Sequence, residues 1–173
     1  MAKTVLQFVI LYVLMVLAQV IVFNHICLFG YAVPLVFIYV ILKLPVTMHV
    51  NWVLTISFLL GLTIDIFSDT QGMNALACTI LGLLRKPVLR LYFPREDEMS
   101  TPQPSFRSLG MSVYLKYVFS ISLIYCALFF FIETLSLFNP LRLFIKIASS
   151  SLLTFIIIIA IDSLTTRRRE KRL

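Results

Sequence analysis

Apolar runs close to the length needed to cross a lipid bilayer follow one another along almost the whole chain, and they leave few folds open. A helix crosses the hydrocarbon in about 20 residues, at a rise of about 1.5 Å each. Runs of this kind occupy 5–23, 28–44, 50–67, 72–86, 112–132 and 141–164. Of the 173 residues, 60% are apolar and 13% charged, where soluble domains average about 45–50% and about 25%. A globule of this size has no core large enough to hide the surplus, so the surplus faces lipid. The predicted fold class is all-α: a polytopic membrane helix bundle of about six transmembrane helices, forming a single integral membrane domain.

The runs differ in quality. The first, 5–23, is the clearest, and no cleavage site for a signal peptide follows it. The second contains Pro34, which a membrane helix tolerates where neighbours satisfy the freed carbonyl. In the fourth, Arg85, Lys86 and Pro87 come soon after Gly72, so a crossing requires the two cations to snorkel or the bilayer to thin. Val88, Leu91 and Tyr92 then fit a short turn along the interface. The segment 87–111 reads as a cytoplasmic loop, because it holds the one extended stretch rich in Pro, Ser and charge. Residues 165–173 read as a basic tail.

A net charge of +7 would suit nucleic acid, but its distribution does not. Arg167, Arg168, Arg169, Lys171 and Arg172 share the tail, while Arg85, Lys86, Arg90, Arg95 and Arg107 lie around one loop. Basic clusters that flank apolar spans set orientation and attract anionic headgroups. Arg85, Lys86, Arg90, Arg167, Arg168 and Arg169 are therefore candidate contacts to anionic lipids or a cytoplasmic partner, and no nucleic acid is expected. With both termini cytoplasmic, only Arg142 and Lys146 fall outside, as the positive-inside rule prefers. Glu133 lies near both, so charge pairing among Glu133, Arg142 and Lys146 is expected to brace that hairpin. Cys27, Cys78 and Cys126 are scattered and read as small hydrophobes.

The stretch GLTIDIFSDTQGMNALA, from Gly61 to Ala77, is the unusual one. A carboxylate at mid-bilayer costs about 2.5–3.5 kcal/mol on insertion scales, and less near an interface. Asp65 is either an interfacial aspartate at a helix end or a buried carboxylate bonded to the next helix or to a partner. Gly61, Asp65 and Ser68 share a helix face. Thr70, Gln71, Gly72 and Asn74 supply turn and capping chemistry. Ala75, Cys78 and Gly82 are small residues on one side of the fourth run, and with Gly61 they predict two backbones in close approach. Gly61, Asp65, Ser68, Gly72, Asn74, Ala75, Cys78 and Gly82 are thus the candidate partner-binding or helix-packing set. Catalysis has little support. His25 and His49 fall on opposite sides of the membrane, no HExxH, GxSxG, P-loop or CxxC pattern occurs, and Asp65 with Asp69 lacks a basic or metal-binding companion. No catalytic, cofactor or metal residues are expected.

Phe58, Gly61, Leu62, Asp65, Ile66, Gly72, Ala75 and Leu76 together resemble the central signature of the rod shape-determining protein MreD family. That signature has a glycine, an aspartate four residues on, a short turn, then a glycine followed by small and apolar residues. Length, six spans, a short N-terminus and a basic C-terminal tail agree along the whole chain. Asp69-Thr70-Gln71 in the turn and the proline-rich loop from Pro94 to Ser108 depart from the commoner pattern. The resemblance implies a non-enzymatic member of the bacterial cell-elongation machinery in the cytoplasmic (inner) membrane. It would bind the bitopic protein MreC and help link MreB filaments to peptidoglycan synthases. It also implies a fold like the membrane substrate-binding subunits of energy-coupling-factor transporters.

Two functions follow. In the first the bundle is a scaffold, and the hairpin holding Gly61 and Asp65 docks a partner that completes the buried carboxylate's bonding. The alternative is a substrate-binding membrane subunit of a vitamin-type transporter, with Gln7, Gln19, Asp65, Glu133 and Ser149 to Ser151 lining a polar cavity. That transporter class is gripped through a stripe of small residues on its first helix, whereas Ala18 stands among bulky neighbours here. An enclosed polar pocket favours transport; a filled interior favours scaffolding.

Overall fold

Hydrocarbon offers the backbone no hydrogen bonds, so apolar runs of this length fold as helices, which satisfy their amides internally. The computed structural model describes residues 2–25, 33–93, 104, 109–133 and 140–170. In order these form α1 (Ala2–Ile21), a 3-10 turn (Phe23–His25), a second 3-10 turn (Val36–Ile38) that runs into α2 (Tyr39–Lys43), α3 (Val50–Ser68), α4 (Met73–Tyr92), α5 (Met111–Glu133) and α6 (Pro140–Glu170). The described residues contain no strand. Val50–Ser68, Met111–Glu133 and Leu143–Leu164 are long and apolar enough to cross a membrane, and Leu6–Ile21 is a shorter apolar helix.

The second apolar run departs from the expected long span. Residues 26–32 lie outside the described residues, 33–35 are not helical, and only Val36 to Lys43 coil. Every residue from Pro34 to Leu42 is buried. The run is apolar because it fills the core, not because it faces lipid. Pro34 removes one N–H, and the residue before a proline is pushed out of the α region. Side chains of α1 and α6 then meet the freed backbone. Gln19 Oε1 accepts the Val36 N–H at 2.9 Å, while its Nε2 donates to the Pro34 carbonyl at 3.0 Å. Ser150 Oγ accepts the Val33 N–H at 3.1 Å, and Thr154 Oγ1 accepts that of Leu35 at 3.0 Å.

Two boundaries also move. The fourth helix does not stop at 86, with a separate interfacial turn after it; it continues through Pro87 to Tyr92. The Tyr92 hydroxyl bonds that of Ser120 at 2.8 Å, which fastens this last stretch to α5. Helix α6 likewise runs on through Arg167, Arg168 and Arg169, so the basic tail begins as helix.

Helices α3 and α4 pack most closely, as the small residues predict. A Cβ on Gly61 would sit 2.4 Å from the Asn74 carbonyl oxygen and 2.5 Å from the Ala75 Cα. On the same seam, a Cβ on Gly82 would lie 2.7 Å from Ser57 Oγ. Helix α5 closes over this pair with Tyr114, Tyr117 and Tyr125 fully buried, and Tyr125 meets Phe37 edge to face at 5.6 Å. Helix α1 is tied to α3 by the Tyr12 and Thr63 hydroxyls, 2.8 Å apart.

Backbone cannot move aside as a side chain can. Gly61→Ala is therefore expected to destabilise the protein by about 1–3 kcal/mol, the usual range for overpacking. Gly82→Ala, facing a serine side chain, should lose less. Unfolding in mixed micelles reads both, and equal losses would contradict the backbone contact at Gly61.

Candidate functional site

Asp65 ends one helix and begins the next. It lies in the last turn of α3, where its backbone carbonyl accepts the N–H groups of Asp69 and Thr70. Asp69 takes a left-handed conformation (φ 53°) and Gly72 another (φ 77°), so the chain reverses within a few residues. The reversal sets the N-terminus of α4 against the Asp65 side chain, which is 4% exposed. Oδ1 accepts the Asn74 backbone N–H at 3.1 Å, the Asn74 Nδ2 at 2.9 Å and the Thr70 hydroxyl. Oδ2 accepts the Ala75 N–H at 2.8 Å. A helix N-terminus carries unpaired N–H groups and a partial positive charge, so a carboxylate is well placed there. Gly72 precedes α4 and has no side chain to cap it; Asp65 supplies the cap from the neighbouring helix.

The network extends inward. Asn74 Oδ1 accepts the Tyr125 hydroxyl at 2.7 Å, which joins α5 to the α3–α4 turn. Of the two readings of Asp65, the buried carboxylate bonded to the next helix is the one observed. Both of its oxygens accept hydrogen bonds from within the chain. Ala75, Cys78 and Gly82 are buried within the bundle. Ser68 is half-buried and accepts the Asn24 amide at 2.7 Å; this contact brings the end of α1 to the end of α3.

The other predicted contacts separate. Arg85 does not snorkel to headgroups: it is 2% exposed, and its terminal nitrogens reach the carbonyls of Leu42, Leu44 and Pro45 at the end of α2. Its side chain meets carbonyls in the last turn of α2 and just beyond it, where a helix leaves acceptors without an internal partner. Lys86 is half-buried and Arg90 exposed. The side chains of Arg142, Arg167, Arg168 and Arg169 lie outside the described residues. Glu133 and Lys146 form no ion pair with each other, which corrects that part of the expected bracing. Lys146 Nζ instead lies over the Phe130 ring, 5.7 Å from its centre.

The ion pair among the described residues joins the half-buried Lys43 to the buried Asp162 at 2.6 Å, and sequence reasoning did not single it out. Tyr39 donates its hydroxyl to Asp162 at 2.7 Å. Lys43 also donates to the Pro104 carbonyl at 3.0 Å and lies over the Tyr39 and Tyr114 rings. The available signal was the lone carboxylate inside the sixth apolar run, because a charge within a span demands a partner.

A cleft of about 310 Å³ opens where α1, α3 and α5 end and α4 and α6 begin. Gln19, Ser68, Asn74, Glu133 and Lys146 are among its walls, with Phe129 and Phe130 as apolar lining. Of the residues proposed to line a carrier cavity, Gln19 and Glu133 reach it. Gln7 is exposed on α1, and Ser149 and Ser151 donate to carbonyls of their own helix. Comparison of the chain with protein-family models, curated proteins and solved structures returned no match.

Two variants test the polar core. Asp65→Asn is expected to destabilise the protein by about 2 kcal/mol, the scale of a hydrogen bond to a charged group, while Asp69→Asn, exposed and able to keep its left-handed backbone, stays within about 0.5 kcal/mol. Unfolding titrations that score the two alike would refute the cap. For the ion pair, Asp162→Leu alone is expected to lose about 3–5 kcal/mol, and the double variant Lys43→Met with Asp162→Leu to recover most of it. A double variant no better than the single one would contradict a paired charge.

Proposed function

We propose that this chain is a non-enzymatic membrane scaffold of the MreD kind, binding MreC in the bacterial inner membrane and helping couple MreB filaments to peptidoglycan synthases. One observation carries the reading: the residues behind the resemblance make a single mechanical unit. Gly61 allows the contact, Asp65 caps α4, Gly72 turns the chain and Ala75 receives both the cap and the close approach. A hairpin locked this way presents a fixed outer surface. On α3 that surface is an apolar stripe of Phe58, Leu62 and Ile66, which is exposed, followed by the exposed Asp69 and Gln71 of the turn. A membrane helix associates through shape and packing, since lipid is as apolar as the helix itself; a rigid stripe suits that task.

A six-crossing topology with both ends cytoplasmic belongs to this reading. The Asn24–Ser68 contact brings the ends of α1 and α3 together, so residues between them must travel back across the bundle. Val33 and Leu35 lie at the cleft, and Lys43 pairs with Asp162 toward the far end of α6. In this reading the segment from 33 to 49, buried for much of its length, would be the return pass, despite its short helix. The likeness to energy-coupling-factor membrane subunits belongs to the same reading and rests on the resemblance alone.

The carrier alternative has the cleft in its favour. Against it, Gln19, Ser150 and Thr154 are committed to the backbone of 33–36, and Asp65 to α4. The polar side chains of the interior serve the fold, which favours scaffolding.

A photoreactive residue placed at 62 or 66 in cells making MreC is expected to capture MreC, whereas one at the exposed Leu152 on α6 is not. Equal capture from all three positions, or none from 62 and 66, would sink the docking surface.

A further inference from the structure

The two charges that were expected to pair face the same cleft and leave each other alone. Glu133 closes α5 and is exposed, and Lys146 stands in the early turns of α6. The Lys146 ammonium lies over the face of Phe130. The N-terminus of α4, which would otherwise attract an anion, is already occupied by Asp65. An anion in this cleft is left to Lys146, to Ser68, whose hydroxyl accepts from Asn24 and has its own proton to give, and to the second amide N–H of Asn24. A cation is left to Glu133. Apolar lining from Leu35, Phe129 and Phe130 completes the walls.

We propose that this cleft binds a small aminoalkyl phosphate zwitterion, with Lys146 and Ser68 holding the phosphate, Glu133 the ammonium and the two phenylalanines the carbon chain. Its volume of about 310 Å³ is at the lower end of ligand pockets, roughly 300–1,000 Å³, and suits a headgroup better than a drug-sized molecule. The cleft lies among helix ends, the level at which lipid headgroups sit. The same chemistry is carried by a phosphatidylethanolamine headgroup and by free O-phosphoethanolamine. This inference does not rest on the scaffold reading, since the cleft and the α3 stripe are different surfaces.

The test uses the full chain in detergent, titrated with short-chain phosphatidylethanolamine, matched short-chain phosphatidylglycerol and O-phosphoethanolamine, with binding read by native mass spectrometry and thermal unfolding. Phosphatidylethanolamine is expected to bind at least about tenfold more tightly than phosphatidylglycerol, which lacks the ammonium. Glu133→Gln and Lys146→Gln should each weaken it by about tenfold, the scale of one charge-assisted hydrogen bond. Glu133→Asp and Lys146→Arg keep the charges and should keep binding; Lys116→Gln, exposed on α5 away from the cleft, should change nothing. Binding of O-phosphoethanolamine on its own assigns the site to a free zwitterion, and binding of the lipid alone assigns it to a headgroup. Equal affinity for the two lipids, or equal losses in the charge-keeping and charge-removing variants, overturns the proposal.

Discussion

A buried polar group inside a membrane bundle is costly unless it is bonded, and the Asp65 carboxylate meets this demand for two helices at once. It sits where α3 stops and supplies the acceptors that the first N–H groups of α4 lack. The arrangement works only if the backbones nearly touch, because a carboxylate has a short reach. Gly61 is the residue that permits the approach, with Asn74 and Ala75 directly opposite. The charge, the glycine and the turn are parts of one device. Tyr125 carries it on to α5.

Arg85 plays the complementary part. An anion caps the N-terminus of α4, and a cation on α4 caps the carbonyl end of α2, each matched to the sign of the helix end it meets. Lys43 then binds α2 to Asp162 on α6. The short buried α2 is held from three sides. Gln19, Ser150 and Thr154 secure its entry, Arg85 its exit and Asp162 its last side chain. A segment with so little regular hydrogen bonding of its own survives in the core because neighbours supply what the broken helix forgoes.

This allocation shapes what the protein can do. Polar side chains of the interior are largely spent on holding the chain together. The Ser57, Tyr117 and Ser122 hydroxyls are buried without a hydrogen-bond partner among the described residues, and open surface remains on the apolar outer stripe of α3 and at the cleft among the helix ends. These are the two surfaces proposed to bind a partner helix, in the first case, and a small charged group, in the second. The ion pair and the capped helices give each surface a rigid backing, so contact there does not require the bundle to reorganise.

Hydrophobicity, small residues and turn formers act over short stretches of chain. The sequence by itself therefore determined that the chain is helical and meets lipid, that Gly61 to Gly82 is a tightly packed hairpin, and that Asp65 needs compensation. It read the run around Pro34 as one long helix where, among the described residues, only Val36 to Lys43 is helical, since a segment buried in protein and one facing lipid are equally apolar. It also sent Arg85 to headgroups, because a cation near a helix end has the same local pattern whether it snorkels or caps. Only the tertiary structure decided that Asp65 is answered by α4, that Arg85 turns inward to α2, that Lys43 chooses Asp162 and that Glu133 stays apart from Lys146. Those choices depend on distances between residues remote in the chain, and electrostatic and hydrogen-bonding energies fall too steeply with distance for spacing along the sequence to reveal them.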